Sequence, residues 1–277
     1  MRNIYIVFVT LGLFISGCVE SFVEYQLDYD GDRIVIVGML AHTGEGKILV
    51  RKSLHPQDPQ GDDMLYNANV DLYQNGEYYT GLIESQTGEF ILPSGVSINP
   101  GKAYYLVVNA EGFPEAETIP QILPPSVCFD TVFFETKYAK YCFTDPMDTT
   151  NYYAIKMLEY FKGSDVTEKI QEFINPYDVF TEADYSEQIC YFREIYGHKK
   201  YYVANNEFYD SLAKDSVVLK LVNLSEGIYQ YSNSVKDYEY TRGDPFFDLA
   251  PIYSNVSGGY GIFGMYSYCD YGLKLTE

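Results

Sequence analysis

Apolar and polar positions along most of this chain follow the two-residue period of β-strands. Arg33 to Ala41 holds a nearly continuous apolar run, and Lys47 to Leu54 alternates around charged residues. His55 to Asp63, with two prolines and three aspartates, is a loop. Further strands are predicted at Asn69 to Gln74, Tyr78 to Ile83, Gly88 to Leu92 and Lys102 to Asn109. They are separated by Gln74-Asn75-Gly76-Glu77, Thr87-Gly88 and Asn99-Pro100-Gly101. Asn75-Gly76 is a two-residue hairpin signal, because both residues tolerate positive φ. Short strands at this spacing predict an immunoglobulin-like β-sandwich over residues 33–120.

Ile119 to Ser126, with Pro120, Pro124 and Pro125, is not expected to continue a ladder and marks a boundary. Strands resume at Val127 to Glu135, Tyr138 to Phe143, Tyr152 to Phe161, Ile189 to Tyr196 and Ser216 to Leu224, and close the chain at Val256 to Tyr268 and Gly272 to Leu275. A helix is predicted from Ser225 to Tyr240, with Ser225 as its cap and Ile228, Tyr231, Val235 and Tyr238 on one face, although Ile228 to Ser232 also alternates. The expected class is mainly β: the N-terminal sandwich, then a second antiparallel β domain over 126–277 with one short helix.

The N-terminus follows a different pattern. After Arg2 and Asn3, an apolar run from Ile4 to Ile15 would span about 18 Å as a helix, short of the roughly 30 Å of a bilayer core. Residues 1–17 read as a signal peptide, not a membrane span. Ser16-Gly17-Cys18 resembles the lipobox of bacterial lipoproteins, in which the thiol takes a diacylglycerol and the preceding peptide is removed. Cys18 is then the lipidated mature N-terminus, and residues 18–32 form an acidic tether to a membrane. The alternative is an ordinary secretory signal that happens to contain a cysteine.

A net charge of -20 repels a phosphate backbone and excludes nucleic acid as the partner. With 30 Tyr, 17 Phe and no Trp, the composition favours strands and turns. Cys128, Cys142, Cys190 and Cys269 are an even set in a compartment that permits disulfides, and three pairings exist. A hairpin turning near Glu135-Thr136-Lys137 would set Cys128 across from Cys142 and leave Cys190 with Cys269; the alternative is buried free thiols. Their wide separation argues against metal ligation.

Motifs that could carry chemistry do not fit their contexts. Gly259-Tyr260-Gly261-Ile262-Phe263-Gly264 has the dinucleotide-fingerprint spacing but precedes a Tyr-rich strand where a helix is required. Asp28, Asp30 and Asp32 open like a calcium loop, yet Arg33 stands where its glycine belongs and Met39 where its bidentate Glu belongs. His42 to Lys47 approaches the phosphate-loop pattern, with Ala41 and Ile48 at positions that need Gly and a hydroxyl, and reads as a turn. There is no G-x-S-x-G or H-E-x-x-H. An enzyme would need a cleft in which two acids, or an acid and His42, His55 or His198, converge. No catalytic residue, cofactor or metal is expected. Arg242-Gly243-Asp244 matches a short integrin-recognition tripeptide of the kind chance supplies. Asp130-Thr131-Val132, Asp148-Thr149-Thr150, Asp210-Ser211-Leu212 and Asp215-Ser216-Val217 each resemble the acceptor of gut-anaerobe O-glycosylation or, equally, strand starts.

The stretch Pro251-Ile252-Tyr253-Ser254-Asn255-Val256-Ser257-Gly258-Gly259-Tyr260-Gly261-Ile262-Phe263-Gly264 resembles the closing motif of the Bacteroidetes lipoproteins grouped as domain of unknown function 4249. Glu20 after Cys18, Ile34 to Leu40, Ala68 to Leu72, Gly101 to Val107, Pro124-Pro125, Tyr152-Tyr153 and Leu221 to Tyr231 agree in order. That resemblance implies an outer-membrane lipoprotein with an N-terminal sandwich and a second β domain, often associated with TonB-dependent receptors in nutrient uptake, and it implies no catalytic residues. The leading expectation is a non-enzymatic, lipid-anchored accessory or binding protein of the outer membrane, exposed at the cell surface and working with such a receptor. Surface adhesion or a surface layer is the alternative, and a surface hydrolase a second.

Overall fold

The computed structural model describes residues 31–55, 58, 61–135, 138–146, 150–161, 169–174, 192–193, 200–205, 214–243 and 247–274. The predicted Cys18 lipid site, Cys190 and His198 lie outside them, as do Asp28 and Asp30.

The first half supplies β1 (Ile34–Ala41), β2 (Gly46–Lys52), β3 (Asn69–Gln74), β4 (Glu77–Gly81), β5 (Ile83–Gln86), β6 (Glu89–Ile91), β7 (Ala103–Asn109), β8 (Ala116–Thr118) and β9 (Gln121–Ile122). The second half supplies β10 (Phe129–Glu135), β11 (Tyr138–Thr144), β12 (Tyr152–Phe161), β13 (Lys169–Ile174), β14 (Phe192–Arg193), β15 (Lys200–Asn205), β16 (Lys214–Leu224), α1 (Glu226–Arg242), β17 (Val256–Ser257) and β18 (Gly259–Lys274). The protein is mainly β, its described strand pairs antiparallel except for β1 with β18, and among the described residues there is one helix.

Strands alternate as their sequences require. In β1, Ile34, Ile36 and Leu40 turn inward, and in β7 Tyr104, Leu106 and Val108 do. Two sheets share one core. The larger runs β13-β12-β16-β18-β1-β2-β6-β5, and the second runs β17-β8-β7-β3-β4 with β9 also on β7. Ile34, Ile36, Ile48, Val50, Phe90, Phe263 and Met265 from the first meet Val70, Leu72, Tyr104, Leu106 and Val108 from the second. A third, three-stranded sheet runs β10-β11-β15.

The sheet does not divide at the expected boundary. β18, the last strand, lies parallel to β1, the first, pairing Ile34 with Gly259 through Ala41 with Tyr266. A sandwich of residues 33–120 is therefore incomplete without Phe263 and Met265. The proline stretch is fastened as well: Gln121 and Ile122 pair with Tyr104 and Ala103, and the Pro125 carbonyl accepts from Asn223 Nδ2 and Ser267 Oγ. A proline lacks only its N–H, so its neighbours can still join a ladder.

The disulfide also departs from expectation. Cys128 is bonded to Cys269, 141 residues away, with 5.0 Å between Cα atoms. The hairpin β10–β11 forms, but Glu135 pairs with Tyr138, so its centre lies beyond Glu135 and Thr131, not Cys128, stands opposite Cys142. Cys128 precedes the ladder and is free to reach β18.

Candidate functional site

The predicted turn at His42 to Lys47 joins β1 to β2, with the Ala41 N–H donating to the Glu45 carbonyl. It builds the polar cluster that holds the first hairpin against β18. His42 Nδ1 accepts from the Tyr268 N–H at 3.4 Å, and the two rings meet edge-on at 5.0 Å. The Tyr268 hydroxyl donates to Glu45 Oε2 at 2.9 Å, and Lys220 Nζ sits 4.1 Å from the Tyr268 ring centre while bonding Asp270. Burial first, and then the Glu45 carboxylate, hold the Tyr268 hydroxyl above its ordinary value. Tyr266, stacked beside it, is raised by burial, then by Tyr268 and Glu45. These polar groups are aimed at one another, so the cluster's chemistry is cohesion: it joins the chain's beginning to its end.

The glycine-rich motif is structural too. Gly261 has φ +114 and its hypothetical Cβ would stand 1.9 Å from the Ile36 carbonyl oxygen; a Cβ on Gly259 would stand 2.3 Å from that of Ile34. These glycines admit the close parallel approach of β1, which explains the strand where the fingerprint needs a helix. Asn255, fully buried, caps the same strand by bonding both the N–H and the carbonyl of Phe263.

The predicted cap of α1 is replaced. Ser225 occupies the N-cap position, but its hydroxyl accepts from the Met265 N–H in β18. Gln121 Oε1, from the proline junction, accepts from the Gly227 N–H at 3.0 Å instead. Ile228 lies under the helix, over Gly264; Tyr231, Val235 and Tyr238 are only half-buried, so the apolar face predicted from them is not a core face.

Beyond the helix lies a surface that periodicity does not identify. Tyr240, Phe247, Leu249 and Ile252 are 73%, 56%, 60% and 46% exposed. Tyr240 stands in the last turn of α1, and the stretch carrying Phe247, Leu249 and Ile252 is tied back to the helix, since the Ala250 N–H donates to Thr241 Oγ1 and the Tyr253 N–H to Ser234 Oγ. Tyr240 and Phe247 rings are 6.3 Å apart. The sequence signal was present in the apolar residues of a proline-bearing loop, where no strand or helix needs them.

Among the described residues, the other predicted sites do not converge. His55 is exposed after β2, Arg242 pairs with Glu239, and Asp130 in β10 accepts from the Thr144 hydroxyl. Asp215 to Val217 lie in β16; Asp148, Thr149, Asp210 to Leu212 and Asp244 lie outside the described residues. Among the described residues no three His, Cys, Asp or Glu side chains gather as metal ligands. No described helix is long and apolar enough to cross a membrane.

A model of the family described as domain of unknown function (DUF4249) matches residues 20–271. No curated protein matches the chain.

Proposed function

We propose that this chain, which belongs to the domain of unknown function (DUF4249) family, is a non-enzymatic accessory or binding protein, held to the outer membrane by a lipid on Cys18 and working with a TonB-dependent receptor in nutrient uptake. The observation that carries this reading is the exposed apolar surface formed by the end of α1 and residues 247–252. Tyr240 in the last turn of α1 and Phe247, Leu249 and Ile252 in the braced stretch that follows show large apolar side chains to solvent, a surface suited to a protein neighbour. The lipobox-like Ile15-Ser16-Gly17-Cys18 supports anchorage, since a multi-chain lipid holds far more firmly than one acyl chain.

The test is affinity purification of the lipidated protein from gently solubilised outer membrane, with co-purifying chains identified by mass spectrometry. A stoichiometric TonB-dependent receptor that survives moderate salt, and is lost from a Phe247→Ser, Leu249→Ser double variant, is the expected result. Recovery of the protein alone, or with surface fibres, would remove the reading and favour adhesion. That second reading has its own observation: β4 and β5 end their sheets, and all four β5 residues are exposed.

A further inference from the structure

The second sheet has an outer face of unusual make-up. Val70, Leu72, Tyr104 and Leu106 point into the core, so Asp71, Tyr73, Tyr105 and Val107 stand outside. Register arranges them in rows. Tyr78, Tyr73 and Tyr105 lie abreast across β4, β3 and β7; in the adjacent row lie Gly81, Asp71, Val107 and, on β8, Glu117. Tyr73 and Tyr105 stack at 5.0 Å and 18°, and Tyr78 meets Tyr73 edge-on at 5.8 Å and 87°.

Tyr78 lies along its own strand. Its hydroxyl is 3.7 Å from the point a Cβ of Gly81 would occupy, and Asp71 Oδ1 is 3.4 Å from the same point. Gly81 thus leaves an unfilled position framed by a phenol and a carboxylate, beside a Tyr78 residue that is 61% exposed. Asn69 Nδ2 donates to Asp71 Oδ2 at 2.6 Å and fixes the carboxylate with Oδ1 toward that position. The strands of this sheet hold Asp71, Glu77 and Glu117 and no lysine or arginine. Burial first, and then the Glu117 carboxylate and Tyr73, hold the Tyr105 hydroxyl above its ordinary value.

We propose that this face docks an arginine-bearing extended segment of a partner protein, with one guanidinium lying on the Tyr78 ring and donating in its own plane to Asp71 Oδ1. Charge complementarity selects a cation, and a flat ring with a carboxylate beside it selects arginine over lysine, whose ammonium is a point charge. Asp71 and Glu117 are two strands apart, about 10 Å, within reach of arginines at i and i+2 of an extended segment, about 7 Å apart. The site shares no residue with the apolar loop and stands independently of it.

The test titrates the full lipidated chain, in a neutral detergent, with acetyl-(Gly-Arg)4-amide and with the equally charged acetyl-(Gly-Lys)4-amide by calorimetry. The arginine peptide should bind about fivefold tighter or better. Tyr78→Ala and Asp71→Asn should each erase that preference and Tyr78→Phe keep it, while Asp237→Asn, the same charge change on the exposed helix, leaves it intact. Thermal unfolding of each variant confirms folding. Equal binding of the two peptides, or losses at Tyr78 and Asp71 no larger than at Asp237, overturns the proposal. So does Tyr78-dependent binding of a neutral oligosaccharide with no response to either peptide.

Discussion

Asn255 and Phe263 pair as though both were strand residues: the Asn255 side chain donates to the Phe263 carbonyl at 2.8 Å and accepts from its N–H at 2.9 Å. The Asn255 backbone extends the arrangement, donating to Gly261 and accepting from Ile119. One buried amide therefore connects the proline junction, the loop after α1 and β18. Asn255→Ala would strand two buried backbone groups and should cost about 2–4 kcal/mol. Asn255→Asp should cost a similar amount, because a carboxylate would face the Phe263 carbonyl. Urea unfolding measures both, and a loss under about 0.5 kcal/mol would contradict the assignment.

Gly264 is where α1 meets the sheet. A Cβ there would stand 2.1 Å from Ile228 Cγ1. Gly264→Ala should destabilise by about 1–3 kcal/mol through overpacking, and Ile228→Ala in the same chain should recover part of that loss. A double-mutant cycle reads the coupling; additive effects would mean the helix does not rest on this glycine.

Proteolysis without reduction, followed by mass spectrometry, should recover the Cys128 peptide joined to the Cys269 peptide and not to that of Cys142. Because the bond closes a long loop, replacing both cysteines by serine should cost about 3–5 kcal/mol, on the chain-entropy account of such cross-links.

Alkaline pH should act through the tyrosines. In the folded chain burial raises Tyr266, with help from Tyr268 and Glu45, above the ordinary value of 10.0. The unfolded chain therefore releases that proton first. Stability is complete below about pH 10 and falls as pH rises through the folded value. A tyrosinate absorbance titration should show a fraction of the 30 tyrosines lagging the rest, and Tyr266→Phe should shrink that fraction; one ordinary step in both proteins would contradict this.

Acid acts at Glu89. The Lys47 ammonium bonds it at 2.7 Å and lowers its value from 4.5, so the pair's contribution is present above that value and fades as pH falls through the lowered one. Lys47→Met should return the Glu89 titration, followed by carboxyl NMR, toward the ordinary value.

Sequence alone determined most of the elements. Asn69 to Gln74 and Tyr152 to Phe161 begin and end as strands where alternation places them, and α1 follows Ser225 as predicted, because period and turn chemistry act between neighbours in the chain. Tertiary structure decided what those elements join. No local signal states that β18 lies beside β1, that Cys128 reaches Cys269, or that Gln121 caps a helix 106 residues later. Each depends on the approach of segments remote in sequence. The tyrosines show the same division: periodicity assigns Tyr73, Tyr78 and Tyr105 to strands, but only cross-strand register sets them in one row beside Asp71. That register is fixed by which face each strand buries and by a bulge in β4 that no single strand encodes.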